Sequence, residues 1–149
     1  MTAVQSFGML LIRSIVGVVM IFHGAQKLFG WFEGGGMEAF TKTVAGLGLP
    51  GGIPPLYLAY AAAIAEFGGG ILLIIGLLTP LAALGVAGTM GVAAIVVHGE
   101  AFSLKHSGME FALTLGVVSL GILLIGPGRF SLDAAMPWRI GVTKAKAKT

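Results

Sequence analysis

"AAAIAEFGGGILLIIGLLTPLAAL", Ala61 to Leu84, is almost wholly apolar and lies inside a longer apolar tract that runs from Pro54 to Val97. As one helix that tract would be about 65 Å long, twice the hydrocarbon core of a bilayer, because each residue adds about 1.5 Å. It has to break, and Thr79-Pro80 is the place, since proline interrupts a helix but opens one readily. The tract therefore reads as two spans joined by a tight hairpin, with Pro80 starting the second. Comparable apolar stretches lie on either side, so spans are expected at about 6–29, 54–78, 80–98 and 107–126. Lipid offers no water to bond backbone amides and carbonyls, which favours helices over any open sheet. The expected fold is an all-α integral membrane protein, a four-transmembrane-helix bundle.

Composition agrees. Of 149 residues, 56% are hydrophobic and only 10% charged, against roughly a quarter charged in an ordinary globular domain. The glycines are scattered among Leu, Ile, Val and Ala, as in membrane helices whose backbones approach closely. With no cysteine, thiol exchange and thiolate metal sites are excluded within the chain, so redox chemistry would need a cofactor or a partner. The net charge of +3 sits mainly after Gly128 and bears on membrane orientation; no interleaving of basic and aromatic residues points to nucleic acid. Arg13 interrupts the first apolar stretch and no basic leader precedes it, so this segment is expected to stay as a span instead of being cleaved.

With four spans both termini share one side, together with Arg129, Arg139, Lys144, Lys146 and Lys148. The positive-inside rule makes that side cytoplasmic, and Trp31 and Trp138 then fall near opposite interfaces. On the other side, "EGGGMEAFTKTVAGLGLPGG", Glu33 to Gly52, carries Met37, Phe40, Val44 and Leu47 at helical spacing, with Glu38 and Lys42 four apart on another face. This predicts a short interfacial helix over the mouth of the bundle. Residues 1–133 form one membrane domain, and 134–149 a basic cytoplasmic tail able to meet anionic lipid.

Polar residues cluster at one end. "VVMIFHGAQKLFGW", Val18 to Trp31, ends the first span with His23, Gln26 and Lys27; His98 ends the third span and Glu110 opens the fourth. Glu66 lies mid-span in the second, where a charge costs at least ~2.5–3.5 kcal/mol. It must pair, lose its charge or meet water. Arg13 lies about 8 Å from it in depth by axial rise, which makes an Arg13–Glu66 salt bridge the expected pairing. The bland alternatives are helix glue, Arg13 snorkelling towards the cytoplasm, and Lys27 reaching the interface. His23 and His98 could instead be axial ligands of a haem, and His98, Glu100, His106 and Glu110 supply ligands suited to a metal, though without regular spacing. Ala83, Ala87 and Gly91, like Ala65 and Gly69, mark faces for close helix packing, within the chain or between copies in a homo-oligomer.

Three stretches together resemble the DoxX family of small four-helix bacterial membrane proteins: "LLIRSIVGVVMIFHGAQKLFG" (10–30), the opening stretch (61–84), and "GPGRFSLD" (126–133). The resemblance singles out Arg13, Gly17, His23, Gly24, Lys27, Glu66, Gly69, Gly76, Gly126, Gly128, Ser131 and Asp133. It implies a multi-pass protein of the bacterial plasma (inner) membrane, linked to a redox system in which a soluble or membrane partner protein holds the other redox centre. A quinone, or a similar lipophilic redox molecule, would then enter the bundle's polar pocket. The substrate-binding set is Arg13, His23, Lys27, Glu66, His98 and Glu110. Glu66, as proton relay, and His23 are the catalytic candidates, and no metal site is assigned. The competing class is a non-catalytic scaffold or small-molecule carrier that recruits an antioxidant partner.

Overall fold

The computed structural model describes residues 1–49 and 51–136, so Trp138 and the basic residues from Arg139 onward lie outside the described residues. Helix α1 spans Ala3–Leu28. It starts before the Ser6 implied by the apolar pattern because Thr2 and Gln5 cap it reciprocally, each side chain bonding the other's backbone amide. Helix α2 (Gly36–Gly46) follows, then α3 (Pro55–Ile75), α4 (Thr79–Val92, continued by a π turn, Ala93–Val97), α5 (Glu110–Ile125) and the short α6 (Leu132–Ala135).

Helices α1, α3 and α4 with its π turn are long and apolar enough to cross a membrane; α5 is apolar but only 16 residues long. No strand occurs among the described residues. Helix α1 packs on α3, α3 on α4 and α4 on α5. Phe111 at the start of α5 returns to His23 of α1.

The hairpin expected at Thr79-Pro80 is there. Helix α3 ends in left-handed Gly76, φ +68°, and Leu78 is also left-handed, φ +47°, a conformation that costs a residue bearing a Cβ roughly 1–2 kcal/mol. What holds it is remote in sequence. The Asp133 carboxylate accepts from the Leu78 and Thr79 amides, both at 2.8 Å, two donors that the first turn of α4 leaves free. The Asp133 amide donates to the Gly76 carbonyl at 2.9 Å. Thus the segment after α5 folds back and clasps the α3–α4 turn.

The bundle is apolar on the outside and more polar within. On α1, Val4, Leu11, Ile15, Val18 and Phe22 are exposed, while Ser6, Arg13, Gly17 and Gly24 are buried. On α3, Tyr57, Tyr60, Ile64 and Ile71 face out, and Ala59, Ala63, Glu66 and Gly70 face in. Lipid is the solvent for which this arrangement is suited. The α1–α3 seam is built on glycine: a Cβ on Gly17 would lie 2.6 Å from the Gly70 carbonyl oxygen, and one on Gly24 2.5 Å from the Phe67 amide nitrogen. Both obstacles are backbone and cannot turn aside.

Helix α2 forms where the apolar spacing predicted it. Its inward residue Val44 is buried, and the Lys42 ammonium meets Glu38 at 2.8 Å on the exposed face.

Replacing Asp133 by alanine strands the buried Thr79 amide and the partly buried Leu78 amide in a turn that already carries backbone strain. The expected loss is about 2 kcal/mol or more, read as lower thermal stability of the detergent-purified protein. An unchanged melting temperature would show that the clasp does not hold the turn.

Candidate functional site

Glu66 sits midway along α3 and is 2% exposed. Its partner is Lys27, in the last turn of α1, whose ammonium contacts both carboxylate oxygens. Lys27 keeps 25% exposure. Its Nζ also lies 4.8 Å from the centre of the Phe40 ring on α2, within the reach of a cation–π attraction. One ammonium thus joins three helices.

The expected Arg13–Glu66 pairing is corrected. Arg13 is fully buried, but Nη1 donates to the Leu73 carbonyl at 2.9 Å and Nη2 to the Phe130 carbonyl at 2.6 Å. Leu73 lies about 10 Å beyond Glu66 along α3. The cause is helix register: Gly24 sits against Phe67 and Gly17 against Gly70 and Ile74, which sets Arg13 beside the end of α3. There the last turn has carbonyls without intrahelical partners. Arg13 therefore secures the clasp, and Gly76 leaves room for it, since a Cβ there would collide with Nη1. Arg13 Nε has no hydrogen-bond partner among the described residues.

In front of Lys27 is an open, shallow cleft of about 260 Å³ lined by Gln26, Lys27, Gly34, Gly35, Gly36, Ala39, Phe40 and Thr43. Its walls are the end of α1, the first turns of α2 and the glycine linker between them. The linker turns sharply, with positive φ at Gly30, Phe32, Glu33 and Gly36, and it presses on α1 so closely that a Cβ on Gly34 would strike the backbone of Gln26. The Gln26 side-chain nitrogen donates to the Phe32 carbonyl at 3.2 Å.

The remaining candidates lie elsewhere. His23 is half-buried in an aromatic wall, edge-on to Phe22 at 5.5 Å and 6.0 Å from Phe111, and is not among the residues that line the cavity. His98 Nδ1 lies 2.7 Å from the Ser107 carbonyl oxygen, and Glu110 accepts from the Leu104 amide, so both stabilise the α4–α5 loop. Among the described residues no three His, Asp or Glu side chains gather to hold a metal ion, and Glu100 and His106 are exposed.

Of the six expected residues, then, the structure joins Lys27 to Glu66 and leaves Arg13, His23, His98 and Glu110 in other settings. The sequence reading left Gln26, Phe40 and the three glycines out of the site. Gln26 shares the polar end of the first span, and Phe40 lies on the apolar face of α2, but the linker geometry that brings them together has no local sequence signal.

The DoxX family model matches residues 8–99, a range that contains both members of the ion pair and every residue lining the cavity. The chain is 29% identical over 136 residues to Inner membrane protein YqjF of Escherichia coli (strain K12), covering 89% of this chain and 95% of that protein. It is 31% identical over 126 residues to the Bacillus subtilis (strain 168) protein named "Putative oxidoreductase CatD", covering 85% and 84% respectively. No solved structure is a significant match.

Breaking a buried ion pair from one side costs about 3–5 kcal/mol when the surviving charge stays buried. Lys27→Met leaves the nearly inaccessible Glu66 alone, whereas Glu66→Gln leaves an ammonium that still reaches the cavity. Thermal unfolding in detergent is expected to show the larger loss for Lys27→Met, and a double variant is expected to lose less than the two singles added together. Additive losses would mean that the pair contributes no coupling.

Proposed function

The chain belongs to the DoxX family, and on that premise we propose that it is the membrane-embedded component of a redox system, binding a quinone or similar lipophilic redox molecule in the cavity beside Lys27. The four-span topology goes with this reading: α5 is the fourth span, residues 1–133 are the membrane domain, and the termini face the cytoplasm of a bacterium from its inner membrane. The relative named as an inner membrane protein supports the location, and the one named as an oxidoreductase supports the redox class. The chain has no cysteine, so the second redox centre comes from a cofactor or from a partner protein, and this reading takes the partner.

The observation that carries the reading is an ion pair, buried at Glu66, whose lysine side opens onto the cleft. Lys27 can donate a hydrogen bond to a ring oxygen, and Phe40 offers an aromatic face beside it. Glu66 lies behind the ammonium, fixes its position, and can take up a proton that Lys27 relays. Of the expected pair of ligand donors, His23 and Lys27, this reading keeps Lys27, which lines the cleft. Arg13 has a structural role at the far end. The scaffold or carrier reading has one observation in its favour: both Glu66 oxygens are already bonded to Lys27, so the pair is complete as helix glue without any ligand.

Mass analysis of lipids that co-purify in detergent, with an absorption spectrum before and after reductant, separates the two readings. The redox reading expects a bound quinone without a haem band; the scaffold reading expects neither. In a Trp138→Phe background that leaves Trp31 as the single tryptophan fluorophore, a short-chain naphthoquinone is expected to bind the otherwise unchanged protein, to bind Lys27→Met at least about tenfold more weakly, and to bind the surface control Glu38→Gln as well as the unchanged protein. Equal binding to all three proteins would remove the cavity from the mechanism.

A further inference from the structure

Aromatic rings run in unbroken contact around the end of α1 that carries Lys27. Phe67 of α3 stands edge-on to Phe29 at 5.2 Å between ring centres, and Phe29 lies 4.9 Å from Trp31. Trp31 meets Phe32 at 6.4 Å, and Phe32 stacks on Phe22 at 4.7 Å with 21° between the planes. Phe22 and His23 then carry the line to Phe111, at the start of α5. Its outward edge is free: Phe22, Phe29, Trp31, Phe32 and Phe111 are between 42% and 56% exposed.

Backbone chemistry sets the depth of this line. The linker after α1 is not helical, takes positive φ at Gly30, Phe32 and Glu33, and is exposed at Phe32 and Glu33. Exposed backbone of this kind does not occur in hydrocarbon, where its amides and carbonyls would lack partners. Yet Phe32 rests on Phe22, well before the end of α1 at Leu28, so the acyl chains stop near Phe22 and the last turns of α1 stand above them. Helix α2, with its exposed Glu38–Lys42 pair, packs on α3. Part of α3 therefore stands in the polar layer too, and the middle of that helix is not the middle of the bilayer.

We propose that the line of rings seats the protein at the boundary between acyl chains and lipid headgroups, and that it holds the Lys27–Glu66 pair at the same level. Aromatic side chains settle at this boundary because one part of them is apolar and another tolerates water. Glu66 directly precedes Phe67 on α3. Lys27 lies between Phe22 and Phe29 on α1, and a long helical side chain leans back towards the helix N-terminus, which brings the ammonium down to the rings. Charge costs most at the bilayer centre, whereas at the boundary a lysine reaches water and headgroup oxygens along its open side. The pair is thus approached from the headgroup layer. This seat does not depend on any ligand in the cleft.

Depth-dependent fluorescence quenching tests the seat on the full-length protein in phosphatidylcholine vesicles. One set of vesicles carries bromines on the acyl chains near the glycerol, the other near the methyl ends; each leaflet contributes about 15 Å of core, which the two positions resolve. Trp138→Phe leaves Trp31 as the single indole, and adding Trp31→Phe with Phe67→Trp moves that indole beside Glu66. Both proteins are expected to lose more fluorescence to the shallow bromines than to the deep ones. A greater loss to the deep bromines in either protein overturns the placement, and so does the absence of quenching in both sets of vesicles, which would put the rings in water. Phe67 is only partly buried, so its replacement keeps the bundle intact, which the melting temperature verifies. The Trp31 reporter retains every native ring of the line and decides the seat by itself.

Discussion

A carboxylate at the middle of a membrane-spanning helix is tolerated only if a neighbour answers its charge, and the answer given to Glu66 is a lysine held in place by two glycines. Gly17 and Gly24 let the backbone of α1 come down on α3, and that close approach sets the depth at which Lys27 meets Glu66. Sequence, packing and electrostatics are therefore one constraint here. Any side chain at Gly24 would push α1 away from Phe67 and draw the ammonium off the carboxylate, so the small residue and the charged one three positions later act as a unit.

The two basic residues buried along α1 are answered in opposite ways, and this divides the bundle. Arg13 is paired with backbone: carbonyls at the end of α3 and in the segment after α5 take its guanidinium, and Asp133 spends its charge on the amides of the α3–α4 turn. That end is closed by main chain, which suits a structural clasp. Lys27 is paired with a side chain, lies beneath an aromatic ring on a glycine-flanked helix, and faces a cavity. That end is the more open one, and the proposed ligand site lies there.

The division explains what could be read in advance. The hairpin was legible because proline and bilayer thickness act locally, and α2 was legible because its apolar spacing and its Glu38–Lys42 pair lie within one short segment. Glu66 was marked by being ionisable in an apolar run, and the need for a basic group from the first span followed from that. Which basic group it is did not follow. Axial rise alone favours Arg13, because it is blind to the glycine seam that fixes register. The cavity was invisible for a different reason. Its wall depends on left-handed residues at Phe32 and Glu33, which local sequence preferences do not favour.

The pair satisfies Glu66 completely, which is all that helix glue requires. The carboxylate is enclosed and has both oxygens engaged. The ammonium has three hydrogens for those two oxygens, retains a quarter of its exposure, and has only the face of Phe40 and the open cavity on its remaining side. An aromatic face is a weaker partner for a cation than an oxygen acceptor at hydrogen-bonding distance. Helix association required the glutamate to be buried and neutralised. It did not require the lysine to keep an open side towards the cleft, and that open side is what the proposed ligand would use.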